Sequence, residues 1–112
     1  MSERRGKYNA RKVEIDGYIF DSGAEGRRYE ELKLLMRAEK ISAIEVHPKY
    51  QLVVNEKNIG KYTADFQYYD FENRAFIIED VKGGNATRTE AYRLRKKLVE
   101  AIYNIEIVEV TA

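Results

Sequence analysis

The run Ala75-Phe76-Ile77-Ile78-Glu79-Asp80-Val81-Lys82 is the segment that most constrains the fold. Its apolar start is rich in strand-forming residues, and Gly83-Gly84-Asn85 stops it, so a strand is expected over Arg74–Lys82. Side chains alternate along a strand, which puts Asp80 and Lys82 on one face and Glu79 on the other. A bulge would exchange Asp80 for Glu79. The preceding stretch, Gly60–Asp70, also reads as a strand, with Glu72-Asn73 as a short turn between the two. The pair is expected to form an antiparallel hairpin with Asp65 in its first arm. Two carboxylates on neighbouring strands can hold a hard divalent cation through oxygen. A lysine two residues further on can orient a water or balance charge on a phosphate. The pattern points to a metal-dependent phosphodiesterase.

Each residue also has a plainer reading. Asp65 would share a face with Thr63, Gln67 and Tyr69, where a carboxylate is costly unless paired or metal-bound. On an edge strand it would simply face water. Asp80 and Lys82 alone read as an exposed ion pair at a strand end, which contributes little. Their place on the same hairpin as Asp65 favours the functional reading.

Upstream, Lys12–Ile15 and Tyr18–Phe20 flank Asp16-Gly17, a hairpin turn signal. Ser22 and Glu25 have capping-box spacing and start a helix that runs to about Ala38. Its apolar stripe is read as Tyr29, Leu32 and Met36, helped by Leu35. Glu25 lies on that stripe, so it either serves the cap alone or joins the two aspartates. Ile44–Val54 reads as a strand, with Pro48 marking an edge or a bend, and Asn55–Asn58 as a turn. Downstream, Thr87 and Glu90 repeat the capping-box spacing and open a helix to about Tyr103, with Leu94, Leu98, Ala101 and Ile102 inward. Asn104 terminates it, and Ile105–Val110 is a last strand. The order implies a mixed β-sheet flanked by helices, an α/β domain.

At 112 residues the chain is one domain, and 44% hydrophobic content suits a folded core. No cysteine occurs, which excludes disulfides and thiolate metal sites, so a metal would need oxygen ligands or the single histidine. His47, before Pro48, is read as a loop or edge residue rather than a ligand. No apolar run approaches membrane-spanning length and the N-terminus is unlike a signal peptide, so a cytoplasmic protein is expected. The net charge is only +1, yet basic residues gather at residues 1–11, read as a flexible basic arm, and again at Arg88, Arg93, Arg95, Lys96 and Lys97. Basic flanks around an acidic centre suit a nucleic-acid backbone held over a metal. Each run taken alone is an ordinary solvated surface. Tyr92, beside Arg93 and Arg95, is a further candidate for DNA contact.

In that order on helix, strand, strand and strand end, Glu25, Asp65, Asp80 and Lys82 resemble the PD-(D/E)xK nuclease superfamily, whose core is a mixed sheet between helices, the restriction-endonuclease-like fold. FDSGAEGRRYEEL, ISAIEVHPKYQL, YTADFQYYD and IIEDVKG look more closely like a phage- and prophage-encoded family of small nuclease-like proteins, similar to Holliday junction resolvases. The resemblance spans nearly the whole chain from about Asp16. It implies Asp65 and Asp80 as Mg2+ (or Mn2+) ligands, the Val81 carbonyl as another, and Glu25 binding the metal directly or through water. It implies that Lys82 positions the attacking water, and that the basic helix holds DNA, branched or duplex. A homodimer acting in a bacterial host cell is implied as well. Gly23 stands where that family often has lysine, and His47 where it often has glutamine. The resulting expectation is a metal-dependent, structure-specific endodeoxyribonuclease. The competing readings are a catalytically silent nucleic-acid-binding or phage assembly protein that keeps the nuclease fold, and a phage interaction module whose acids are solvated strand ends.

Overall fold

The computed structural model describes residues 11–83 and 87–111. Most of the basic arm and the Gly84-Asn85 part of the glycine break lie outside those residues. The chain opens with a hairpin of β1 (Val13–Ile15) and β2 (Tyr18–Phe20). Asp16 and Gly17 both take positive φ, 56° and 83°, as a two-residue turn between twisted strands demands. Helix α1 (Gly23–Arg37) follows, capped by Ser22, whose Oγ accepts from the Glu25 N–H at 3.2 Å. The hairpin lies close against this helix at Gly26, where a Cβ would meet Val13 Cγ2 at 2.8 Å.

The central sheet has the order β3-β6-β7-β8, formed by β3 (Ile41–Val46), β6 (Phe66–Asp70), β7 (Ala75–Val81) and β8 (Ile107–Val110). The first three pair antiparallel, and β8 joins β7 in parallel after helix α2 (Glu90–Tyr103) crosses over. A second hairpin, β4 (Lys49–Val54) and β5 (Lys57–Thr63), extends from the sheet. The mixed sheet and its two helices make the α/β class expected from the sequence. Two apolar clusters hold it together. Phe20, Tyr29, Leu32, Ile41, Phe66, Tyr68 and Val81 form one, on the α1 side. Leu52, Tyr62, Ala64, Ile78, Val99 and Ile107 form the other, on the α2 side. Burying side chains of this size contributes about 1.5–3 kcal/mol each.

Several sequence expectations are corrected. The supposed strand Ile44–Val54 begins earlier, at Ile41, and breaks at His47-Pro48. A bulge between Ser42 and Glu45 disturbs the alternation that would have shown its start. Gly60–Asp70 likewise divides at Ala64-Asp65, so Asp65 lies between strands rather than inside one. Asn55 and Glu56, both at positive φ, are the whole turn between β4 and β5. In α1 only Gly26, Tyr29 and Leu32 are buried, and the last turn with Leu35 and Met36 stays open to solvent. Helix α2 is capped by Thr89, not Thr87, through a 3.1 Å bond from the Tyr92 N–H. Its inward face carries Tyr92, Leu98, Val99 and Ile102, whereas Leu94 is 66% exposed and Ala101 is exposed too. Asn104 closes the helix in the left-handed region, and the Ile105 N–H still bonds the Glu100 carbonyl, which delays β8 to Ile107. No helix among the described residues is long and apolar enough to cross a membrane.

Candidate active site

The breaks at His47-Pro48 and Ala64-Asp65 face each other. Val46 pairs with Phe66 and Lys49 with Thr63, so His47 stands opposite Asp65 in the step between. Pairing continues through the bend: the His47 N–H donates to the Asp65 carbonyl at 2.9 Å, and the Ala64 N–H to the Pro48 carbonyl at 3.0 Å. Pro48 therefore marks a bend, one of the two roles its position allowed. The ribbon folds there without losing register, and ligand atoms of the His47 and Asp65 side chains come within 4.8 Å of each other.

Asp65 and Asp80 are tied to each other's backbone. Asp65 Oδ2 accepts from the Val81 N–H at 2.7 Å, and Asp80 Oδ1 accepts from the Asp65 N–H at 3.1 Å. The Tyr62 hydroxyl donates to Asp80 Oδ2. Asp80 is only 4% exposed but lines the cleft beside β7. Glu79 points to the other side. Arg28 donates to both of its oxygens at 2.8 Å, and the Tyr68 hydroxyl to one of them at 2.6 Å. That carboxylate is paired and buried away from the cleft, so the alternation of β7 separates the two acids as a bulge-free strand requires.

Glu25 enters from the first turn of α1. Its carboxylate reaches back to the Asp21 N–H at a long 3.4 Å, not to Ser22, and sits 3.9 Å from His47 Nε2. Glu25, His47 and Asp65 place one ligand atom each within 4.8 Å of one another. His47 does lie in a break between strands, as the loop-or-edge reading allows; what that reading lacks is its nearness to Glu25 and Asp65. The signal that would have found it is register: once β3–β4 and β5–β6 are paired through the bend, His47 falls opposite Asp65.

A cleft of about 440 Å³ joins the three acids, with His47 outside its lining. Glu25, Asp65, Asp80, Val81 and Lys82 line it, with Lys61, Tyr62, Thr63, Thr89, Ala91, Tyr92 and Arg95 around them. Lys82 holds its ammonium 3.7 Å from the centre of the Tyr92 ring, a cation–π contact. The Tyr92 hydroxyl in turn donates to Glu109 at 2.9 Å, and Arg88 pairs with the same carboxylate at 2.7 Å. Of the other basic candidates, Arg95 reaches the cleft, Lys96 pairs with Glu100 at 3.4 Å, and Arg93 and Lys97 are exposed outside the lining. Lys61 joins Arg95 on the rim, a residue the sequence pattern did not single out.

Burial is the main force on the acids. It pushes the Asp65 carboxyl up to about 7, and the nearby Glu25 charge adds to it; the bond from Val81 works the other way. Burial also raises Glu25, with further contributions from Asp21 and Asp80. The Tyr62 phenol is raised by burial and by Asp80, which keeps it a hydrogen-bond donor. Among the described residues Asp65 has no ion-pair partner and Glu25 has only His47. A carboxylate-rich pocket with this charge balance fits a hard divalent cation by its donor set.

No curated protein matches the chain, and no solved structure does. A family model matches residues 5–110, almost the whole length. On that extent the chain belongs to the family described as Protein of unknown function (DUF1064).

Proposed function

We propose that the chain is a metal-dependent endodeoxyribonuclease whose scissile phosphate lies in the cleft between Asp65, Asp80 and Lys82. One observation carries the reading. Two acids from adjacent strand ends, a third from a helix and a lysine two residues after the second acid converge on one cleft with a basic rim. Asp65 and Asp80, helped by the Val81 carbonyl and Glu25, would hold Mg2+ or Mn2+. Such an ion supplies an acidified water and a counter-charge for the phosphate. The reciprocal backbone bonds fix the two aspartates in advance, which removes their ordering cost from binding. Lys82, released from the Tyr92 face, reaches the attacking side of a bound phosphate. Lys61 and Arg95 flank the path of the nucleic-acid backbone, and the N-terminus of α2, at Thr89 and Ala91 on the cleft wall, favours a second phosphate through its dipole. A two-fold dimer would present two such clefts, which suits symmetric cutting of branched DNA.

One observation favours the alternative of a silent nucleic-acid-binding protein: both Asp80 oxygens already accept protein hydrogen bonds. Incubation with four-way, flap, nicked and linear DNAs separates the two. The nuclease cuts at least one substrate with Mg2+ or Mn2+ and stops in chelator. Retarded DNA with no cleavage under any metal would leave only the binding reading.

A further inference from the structure

We infer that His47 is a nitrogen ligand of the metal centre, and that it biases this chain toward Mn2+-like transition ions over Mg2+. The inference rests on the metal-centre reading of the cleft and adds a donor that the strand acids do not supply. Three observations carry it. His47 stands opposite Asp65 across the bend, with its N–H bonded to the Asp65 carbonyl at 2.9 Å. Its Nε2 lies 3.9 Å from Glu25, and the three side chains offer one ligand atom each within 4.8 Å of one another. Both Asp80 oxygens accept protein hydrogen bonds, whereas Asp65 accepts one through Oδ2, so His47 stands beside the less committed of the two aspartates.

Donor atoms about 2.1 Å from a common ion lie about 3 Å apart when adjacent and about 4.2 Å apart when opposite. Side-chain adjustments of roughly one to two ångström therefore close the set. The backbone favours holding the ring in place. His47 sits at φ 56° next to buried Pro48, and its ring packs 5.7 Å from that of Phe20. Imidazole suits the later first-row ions best, and Mn2+, though it shares the oxygen preference of Mg2+, accepts a nitrogen donor more readily than Mg2+ does. An imidazole here consequently separates ions that a purely carboxylate site would treat more alike.

The chain has a single histidine, which makes the test unambiguous. Protein carrying no histidine tag is loaded with Mn2+ and its electron spin echo recorded for imidazole-nitrogen modulation. Calorimetric titrations with Mn2+ and Mg2+ run in parallel. The wild type is expected to show the modulation. His47→Gln and His47→Asn should both lose it, and Mn2+ affinity should fall roughly tenfold while Mg2+ affinity changes less. Asparagine tolerates the left-handed backbone, so the second variant covers a folding failure of the first, and melting curves check both. Mn2+-bound wild type without nitrogen modulation overturns the inference, as does a Mn2+ to Mg2+ preference unchanged in the variants. No Mn2+ binding by the wild type overturns it together with the metal centre. Modulation without cleavage of any DNA upholds the ligand and removes only the nuclease reading.

Discussion

Asp65 is held where its charge is least welcome, between two strands, against Glu25 and Asp80 and with no cation of its own among the described residues. Its carboxyl titrates near 7 in the fold, against an ordinary value of 3.8. Below the lower value both folded and unfolded chains are protonated and the group is neutral to stability. As pH rises toward 7 the unfolded chain ionises first, so the metal-free protein loses stability across that window. Asp65→Asn should flatten this loss and stabilise the protein at neutral pH by on the order of 1–3 kcal/mol, with a higher melting temperature. Melting of both proteins from pH 4 to pH 8 reads this directly, and equal slopes would contradict it. Glu25 offers a second test at the same scale. Gln keeps the capping acceptor but not the charge, so Glu25→Gln should keep or modestly raise the melting point at neutral pH and lower cleavage at least roughly tenfold. Wild-type cleavage in that variant would return Glu25 to a purely structural role.

The turns and the two helices were legible because their chemistry is local. Asp16-Gly17, Ser22 before Glu25, and Asn104 act within one turn of chain, and the β6–β7 hairpin follows from Glu72-Asn73 between apolar runs. Asp80 and Lys82 on one side of β7, with Glu79 on the other, also followed from simple alternation. The bend was not legible in the same way. Nothing local separates a strand broken at Pro48 from a continuous edge strand, and the matching break at Asp65 exists only because the partner bends with it. The inward face of α2 was misread for a related reason. Leu94 fits the helical period, but Tyr92 turns inward to take Glu109 and Lys82, and that places Leu94 in solvent. Arg88 supports the same element through Glu109, so Arg88→Ala should loosen Tyr92 and cost about 1 kcal/mol of stability, with a modestly lower melting temperature. Arg95→Ala should spare the fold and reduce the salt slope of DNA binding by about one phosphate contact. Fluorescence anisotropy at several salt concentrations measures that slope, and an unchanged value would remove Arg95 from the interface.

Across the whole molecule, a sheet between two helices brings three distant parts of the chain to one cleft: the start of α1, the bend of the ribbon and the end of β7. The near-neutral net charge conceals a polar arrangement, with acids at the floor and Lys61, Lys82 and Arg95 around them. A phosphate backbone bound over a cation satisfies both sets of charges at once. The same cation would relieve the Asp65 and Glu25 charges, so Mn2+ or Mg2+ should raise the melting temperature of the wild type at pH 8 more than that of Asp65→Asn. The most direct test of the account is cleavage of a four-way junction, a flap, a nicked duplex and a linear duplex by wild type and Asp80→Asn, with Mn2+, with Mg2+ and with chelator. The account predicts metal-dependent cutting by the wild type and none by a folded Asp80→Asn that still binds the DNA. Equal cutting by the two proteins, or cutting that persists in chelator, would contradict it.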